Sequence, residues 1–432
     1  MGFITWLANN VFGTPAILLG FIVLIGLLLQ KKTASQTITG TFKAIIGFLI
    51  IDAGSGIIVG ALTVFEPMWA EVFGLEATEL GSFMGQEAFN SEFGSAVTLA
   101  MTLGFLLNVL LARFTPFKYI YLTGHMMFWT TTIFAGTIVQ ASGGDIDFWP
   151  LVIMLTLIMG VYWTLQPAVT QPMVRRITGS DKIALGHTSA SAGLLGALMG
   201  KLFGNKEQNA EDIKMPKGLE FLRDNNVITA TTMALLFMVG AIILLTRTSE
   251  VAGTLVASSG AQNFVVYSLI QSFKFAAGIA VVLYGVRMFV GEMVPAFRGI
   301  ATKLVPGAIP ALDAPVLYTY APNSVILGFL GAFVGAIVWL LVLGSTVGYV
   351  FVPTMIVLFF HGAVGGIFGN ETGGIRGALL GGFITATLVA WGQYFMVTFL
   401  VDTTIPDTAM WAADSDMFLL GPILRFIAEL LF

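Results

Sequence analysis

The sequence predicts an all-α polytopic membrane protein: about eleven transmembrane helices in two inverted five-helix repeats with re-entrant hairpins. Three observations carry this. Of the 432 residues, 56% are hydrophobic and only 10% charged, against roughly 25% charged in soluble domains. The mean hydropathy is +0.90. Basic and acidic connections also alternate along the chain, as threading back and forth through a bilayer requires. A formal charge of −4 gives no basis for nucleic-acid binding. The absence of Cys excludes disulfides, thiolate metal sites and a cysteine nucleophile.

A hydrocarbon core of about 30 Å takes about 20 helical residues. Apolar stretches near that length run over 15–30, 42–64, 93–111, 119–139 and 148–169. A second series covers 227–245, 264–290, 324–343, 347–368 and 377–395, with a shorter stretch over 418–432. The first run ends in Lys31-Lys32, lacks a basic n-region before it and is too long for the core of a cleavable signal peptide. Lys31, Lys32 and Lys43 place the first connection in the cytoplasm and the N-terminus outside. Glu66, Glu71, Glu76 and Glu79 follow the second span, Arg113 and Lys118 the third, and Asp145 and Asp147 the fourth. A basic cluster from Arg175 to Arg223 then reads as inside. In the second half Arg298, Lys303 and Arg376 read as inside, and Asp402, Asp407, Asp414 and Asp416 as an outside connection. Arg247 alone breaks the pattern.

The expected organisation follows. Residues 1–170 form a first repeat with a re-entrant hairpin near 81–95, and 171–226 a basic cytoplasmic and amphipathic connection. Residues 227–400 form a second repeat with a hairpin near 307–322, and 401–432 a final span. Asp52 to Gly60 lies over Leu283 to Gly291 without a gap, and Gly124-His125 falls near the place of His361-Gly362. Five spans per unit is an odd number, so the second copy is inverted in the membrane.

Ionisable side chains inside spans are costly unless they face protein or water, so each is a candidate for function. The polar stretch Gly81 to Ser95, containing Gln86 and Glu87, reads either as a re-entrant hairpin or as a surface loop. Its counterpart sets Pro310 and Pro315 around Asp313, which breaks any helix and frees backbone groups for a polar ligand. His125 lies just inside the fourth span with Trp129 a turn beyond it, a site residue or a satisfied core histidine. His187 leads a run of small residues, as a site residue or as the start of an interfacial amphipathic helix. Mid-span Asp52 offers ligand or proton binding, or an ion pair between helices. The glycines from Gly362 to Gly374 around Asn370 and Glu371 read as close helix packing and a turn. Three histidines without Cys and without HxxxH spacing give no metal site. No Walker motif, GxGxxG unit or nucleophile–base pairing is present, so the chain is expected to need no cofactor and not to be an enzyme by itself.

Several ordered motifs resemble one family. They are Ala53-Gly54-Ser55-Gly56, Leu122-Thr123-Gly124-His125-Met126-Met127-Phe128, Gly285-Val286-Arg287-Met288-Phe289-Val290, Leu304-Val305-Pro306-Gly307-Ala308 with Asp313, Ala321-Pro322-Asn323 and Glu211-Asp212-Ile213-Lys214. Together they resemble the L-ascorbate-type IIC permeases of the bacterial phosphoenolpyruvate-dependent phosphotransferase system. The resemblance implies a homodimer in the bacterial inner membrane, moving a sugar-carrying core against a scaffold in an elevator motion. It implies uptake of L-ascorbate or a related sugar acid or polyol, which a separate cytoplasmic IIB subunit, served by IIA, phosphorylates. A chain without Cys fits, because IIB carries the reactive cysteine.

The implied ligand contacts are His125, Met126, Phe128 and Trp129 from the first motif, His187 and Thr188 from a Gly-His pair, and Asp313. Gln86 and Glu87 take the place of the first-hairpin contacts by position alone. The chain departs from the family pattern at Trp129 and Thr188, where the family has Gln. The alternative reading is an ion-coupled secondary transporter of a small polar solute, with Asp52, Glu87 or Asp313 taking a proton or Na⁺.

Overall fold

The computed structural model describes residues 15–73, 86–213, 225–303, 305–349, 351, 355–396 and 413–431. The first half contains α1 (Pro15–Leu29), α2 (Ala34–Phe73), α3 (Gln86–Phe114), α4 (Gly124–Ala141), α5 (Phe148–Thr178) and α6 (Ala190–Phe203). The second contains α7 (Asn225–Leu244), α8 (Glu250–Ala257), α9 (Phe264–Lys303), a helical turn α10 (Pro315–Tyr318), α11 (Pro322–Thr346), α12 (Met355–Phe395) and α13 (Ser415–Leu431). Three short strands, β1 (Tyr119–Tyr121), β2 (Ala184–Leu185) and β3 (Ile309–Leu312), interrupt the helices.

Among the described residues, five helical segments are long and apolar enough to cross a membrane: Glu92–Phe114, Phe148–Thr178, Phe264–Val281, Pro322–Thr346 and Val357–Phe395. Ala190–Phe203 and Met233–Leu244 are apolar but shorter. The all-α membrane character expected from composition is therefore present, and the strands are an addition to it. The helices α2 and α9 are each 40 residues long. At a rise of about 1.5 Å per residue each reaches about 60 Å, twice a hydrocarbon core. They pack against one another and run antiparallel: Lys43 meets Glu292 at 3.5 Å, while Phe65 and Phe275 both lie on α11, against Phe333 and Phe329.

Several expectations meet a different outcome. Residues 86–95 of the first expected hairpin are the opening turns of α3, and 81–85 lie outside the described residues. Over 307–322 the chain forms β3 and α10 before α11 begins. The apolar runs near 347–368 and 377–395 are joined through α12, which breaks at Gly373 and Gly374. Gly374 has φ +61°, a left-handed backbone that costs other residues a steric penalty. The glycines before this kink do pack helices closely: a side chain on Gly196 of α6 would run into the Gly365 carbonyl of α12. Arg247, the exception in the charge pattern, donates to the carbonyl of Val72 at 2.6 Å, where it meets the negative end of the α2 dipole.

The strands make one parallel sheet in the order β1-β3-β2. Tyr121 pairs with Ala311, and Ala184 with the same Ala311. Unpaired strand edges are tolerated inside a protein only when something satisfies them. Asn108 of α3 does this for β1, taking the N–H of Tyr121 at 2.9 Å and donating to the carbonyl of Tyr119 at 3.0 Å. Beside β2, Gln171 of α5 donates to the carbonyl of Ile183 at 3.2 Å. Both amides are buried.

Candidate functional site

All three strands run the same way, so their C-terminal ends open onto one place. The segment after β1 is Thr123-Gly124-His125, that after β2 is Gly186-His187-Thr188, and that after β3 is Asp313. Ladder bonds continue into these corners: Leu122 N–H reaches the Ala311 carbonyl at 3.0 Å, and Gly186 N–H the Leu312 carbonyl at 2.6 Å. A side chain on Gly186 would strike Ala311, which explains glycine at that turn. Residues from three distant stretches are thus delivered to one site by backbone pairing.

His187 is buried. Its Nδ1 meets Ser189 Oγ at 2.9 Å, and its Nε2 lies 3.8 Å from Asp313 Oδ1. The Asp313 side chain is 16% exposed and accepts from the N–H of Ala314 at 2.7 Å. Phe360 stacks beside His187 at 6.4 Å, and Tyr318 beside Phe360 at 6.3 Å. Thr188 lies against Met126, with Oγ1 3.2 Å from Sδ. Phe128 and Trp129 form an edge-to-face pair at 5.4 Å. Of the residues singled out in the sequence, the structure therefore brings His187 to Asp313 and Thr188 to Met126. His125 is the second residue of α4, while Gln86 and Glu87 open α3; their side chains, like that of Asp52, lie outside the described residues.

Asp414 and Asp416, which the charge pattern places in an outside acidic connection, are buried side chains. Asp416 accepts from Ala190 N–H at 3.2 Å, Ser191 N–H at 2.7 Å, Ser191 Oγ at 2.6 Å and Tyr162 OH at 2.9 Å. It thereby occupies the positive N-terminal end of α6, where backbone N–H groups and the dipole favour an anion. Asp414 accepts the hydroxyl of Thr188 and lies 3.1 Å from Nε2 of His361. Nδ1 of His361 meets Ser415 Oγ at 2.8 Å, and the two histidine rings are 5.0 Å apart. Charge-pattern reading weighs the sign of a residue and not its burial, so it missed these. The available signal was Asp-Ser-Asp directly before an apolar run, a helix-start pattern.

Glu211 gives a second case of a carboxylate capping a helix from a distant segment. It accepts from the N–H groups of Asn323 and Ser324 at 3.1 and 2.9 Å and from Ser324 Oγ at 2.8 Å, at the start of α11. Just past the end of α5, beyond Phe148–Thr178, Asp181 accepts from Arg175 at 2.6 Å and from Gln171 at 3.2 Å. The Arg175 bond, foremost, holds the Asp181 carboxyl below its ordinary value.

Apolar helices long enough to span a bilayer, packed around ionisable side chains that are hydrogen-bonded in the interior, define a polytopic α-helical membrane protein with an internal polar site. The profile of the family described as PTS system sugar-specific permease component (EIIC-GAT) matches residues 10–416, and the chain belongs to that family. It is 29% identical over 420 residues to the ascorbate-specific PTS system EIIC component of Mycoplasma pneumoniae (strain ATCC 29342 / M129 / Subtype 1). That similarity covers 86% of this chain and 63% of the relative, so the chain spans somewhat less than two thirds of that protein's length.

Proposed function

We propose that the protein is the membrane-embedded IIC subunit of a phosphotransferase system, taking up L-ascorbate or a related sugar acid or polyol for phosphorylation by a separate IIB subunit. It works as a homodimer in the bacterial inner membrane with its N-terminus outside, moving its sugar-carrying core by an elevator motion. Two inverted repeats over 1–170 and 227–400 build each protomer, and IIA replenishes IIB. The sugar is contacted by Gln86, Glu87, His125, Met126, Phe128, Trp129, His187, Thr188 and Asp313, with hydrogen bonds to its hydroxyls from His125, His187 and Asp313. The observation that carries this reading is the convergence of His187 and Asp313 at 3.8 Å, at the C-terminal ends of neighbouring strands. A carboxylate accepts from two hydroxyls and a neutral imidazole both donates and accepts, a set that suits a hydroxyl-rich solute.

Direction comes from charge. The phosphoryl group leaves its IIB sulfur for a sugar hydroxyl oxygen, that hydroxyl loses its proton, and the product gains nearly two negative charges. A site holding Asp313 repels that product into the cytoplasm. The test is binding of L-ascorbate and several pentitols to purified protein, repeated with Asp313→Asn. Loss of binding in the variant supports the reading; unchanged affinity removes Asp313 from the site. Uptake in cells lacking IIB decides the coupling. Uptake there that follows an ion gradient without a phosphoryl donor establishes the ion-coupled alternative instead.

A further inference from the structure

The segment Asp414-Ser415-Asp416 touches the corner that carries His187 at several points. Ser415 Oγ and Asp416 N–H both reach the carbonyl of Thr188, at 3.1 and 3.0 Å, and Asp414 takes the Thr188 hydroxyl. His361 holds this segment from behind through Ser415 and Asp414. All of these side chains are buried.

These contacts form a closed network. Ser415 Oγ stands between the Thr188 carbonyl at 3.1 Å and His361 Nδ1 at 2.8 Å, and that carbonyl also accepts from Asp416 N–H at 3.0 Å. Nε2 stands 3.1 Å from Asp414 Oδ1. A bare nitrogen and a bare carboxylate oxygen would oppose lone pairs at hydrogen-bond distance, so a hydrogen lies between them. Asp414 is thereby anchored, its other oxygen is directed at Thr188, and the single Thr188 hydrogen is committed to it.

We propose that His361 and Asp414 are positioning residues for the sugar site: they lock the corner at 187–189 and so set the His187 ring toward Asp313 without touching the sugar. The residues facing this pair are Thr188, Ser415, His187 and Asp416 through its backbone. The affinity part of the claim rests on the transport reading above; the contacts between His361, Asp414 and the corner do not.

The two are tested separately. The chain has three histidines, so protein labelled with [15N]histidine shows three ring systems. In the unliganded wild type, the His361 ring is expected to carry its hydrogen on Nε2, facing Asp414, and His361→Gln identifies its signals by removing them. Asp414→Asn offers an amide N–H to Nε2 and a carbonyl to Thr188, so it keeps the frame while the His361 ring hydrogen moves to Nδ1. Asp414→Ala and Thr188→Val break the frame and shift the His187 signals. With L-ascorbate as the probe, Asp414→Ala is expected to weaken binding about tenfold and Asp414→Asn less than about threefold. A bare Nε2 on His361 in the wild type overturns the proposal. So do unshifted His187 signals in Thr188→Val, which leaves the Asp414 carboxylate in place if the alanine variant fails to fold. A wild type that binds no ascorbate refutes the sugar assignment and leaves the nitrogen signals to decide the positioning role.

Discussion

His187 and His361 each meet a serine hydroxyl through Nδ1, at 2.9 and 2.8 Å, and an aspartate through Nε2, at 3.8 and 3.1 Å. Their rings lie 5.0 Å apart. The aspartates differ. Asp313 stands at a strand end, is partly exposed and sits at a loose distance from its histidine. Asp414 is closed in by Thr188 and His361, and the adjacent Asp416 by Tyr162, Ser191 and the first N–H groups of α6. A buried carboxylate is tolerable only with its lone pairs met, and one whose lone pairs are met has little left for a ligand. The lesson is a division between a partly exposed unit, the one proposed to meet a ligand, and an enclosed unit whose carboxylates are taken up by the fold.

The strongest way to break this comparison is at Asp416. Asp416→Ala leaves Tyr162 OH, Ser191 Oγ and the start of α6 unmet, and should cost about 3 kcal/mol of stability. Thermal unfolding in detergent measures it, and a melting temperature equal to wild type would mean the enclosed unit does not hold the frame. Asp313→Asn should have the opposite profile. Sugar affinity falls about thirtyfold, equivalent to about 2 kcal/mol, while the melting temperature stays within a few degrees. A large loss of stability there would erase the distinction between the units.

Glu211 sharpens the comparison from outside the site. It caps α11 as Asp416 caps α6, but in a half-buried position. Glu211→Gln should therefore cost only about 1 kcal/mol, with sugar affinity unchanged in the same binding assay. Asp181 marks the smallest effect. Because its carboxyl ionises more readily in the folded protein than in the unfolded chain, its contribution is complete above the unfolded value of about 4. It disappears as the pH falls through the lower folded value. Half-exposed and screened, the pair should add well under about 1 kcal/mol, so the melting difference between wild type and Asp181→Asn should be slight at pH 7 and shrink as the pH falls below about 4.

The candidate residues could be named because ionisable residues in an apolar chain stand out. His187, Thr188, Met126 and Asp313 were named from their surroundings and from family motifs, and the structure sets them in two contacting pairs. The sheet was not legible as such. Each strand is too short for a period-two pattern to register over helical flanks. In hindsight the runs Tyr119 to Leu122, Ile183 to Leu185 and Ile309 to Leu312 share a form: a few apolar residues ending in Leu, followed by a Gly-His or an Asp within three positions.

The sequence by itself determined the solvent of this protein, since so few charged residues leave lipid as the only medium in which the chain can bury its backbone and expose its side chains. It also determined the helix-packing glycines and which polar residues needed an explanation. Only the tertiary structure decided which histidine meets which aspartate. Parallel pairing aligns strands separated by more than a hundred residues, and Asp414 and Asp416 find partners 226 and 225 positions away. Local propensity carries no information about such contacts; they exist because buried charges must be satisfied by whatever the folded chain brings within reach.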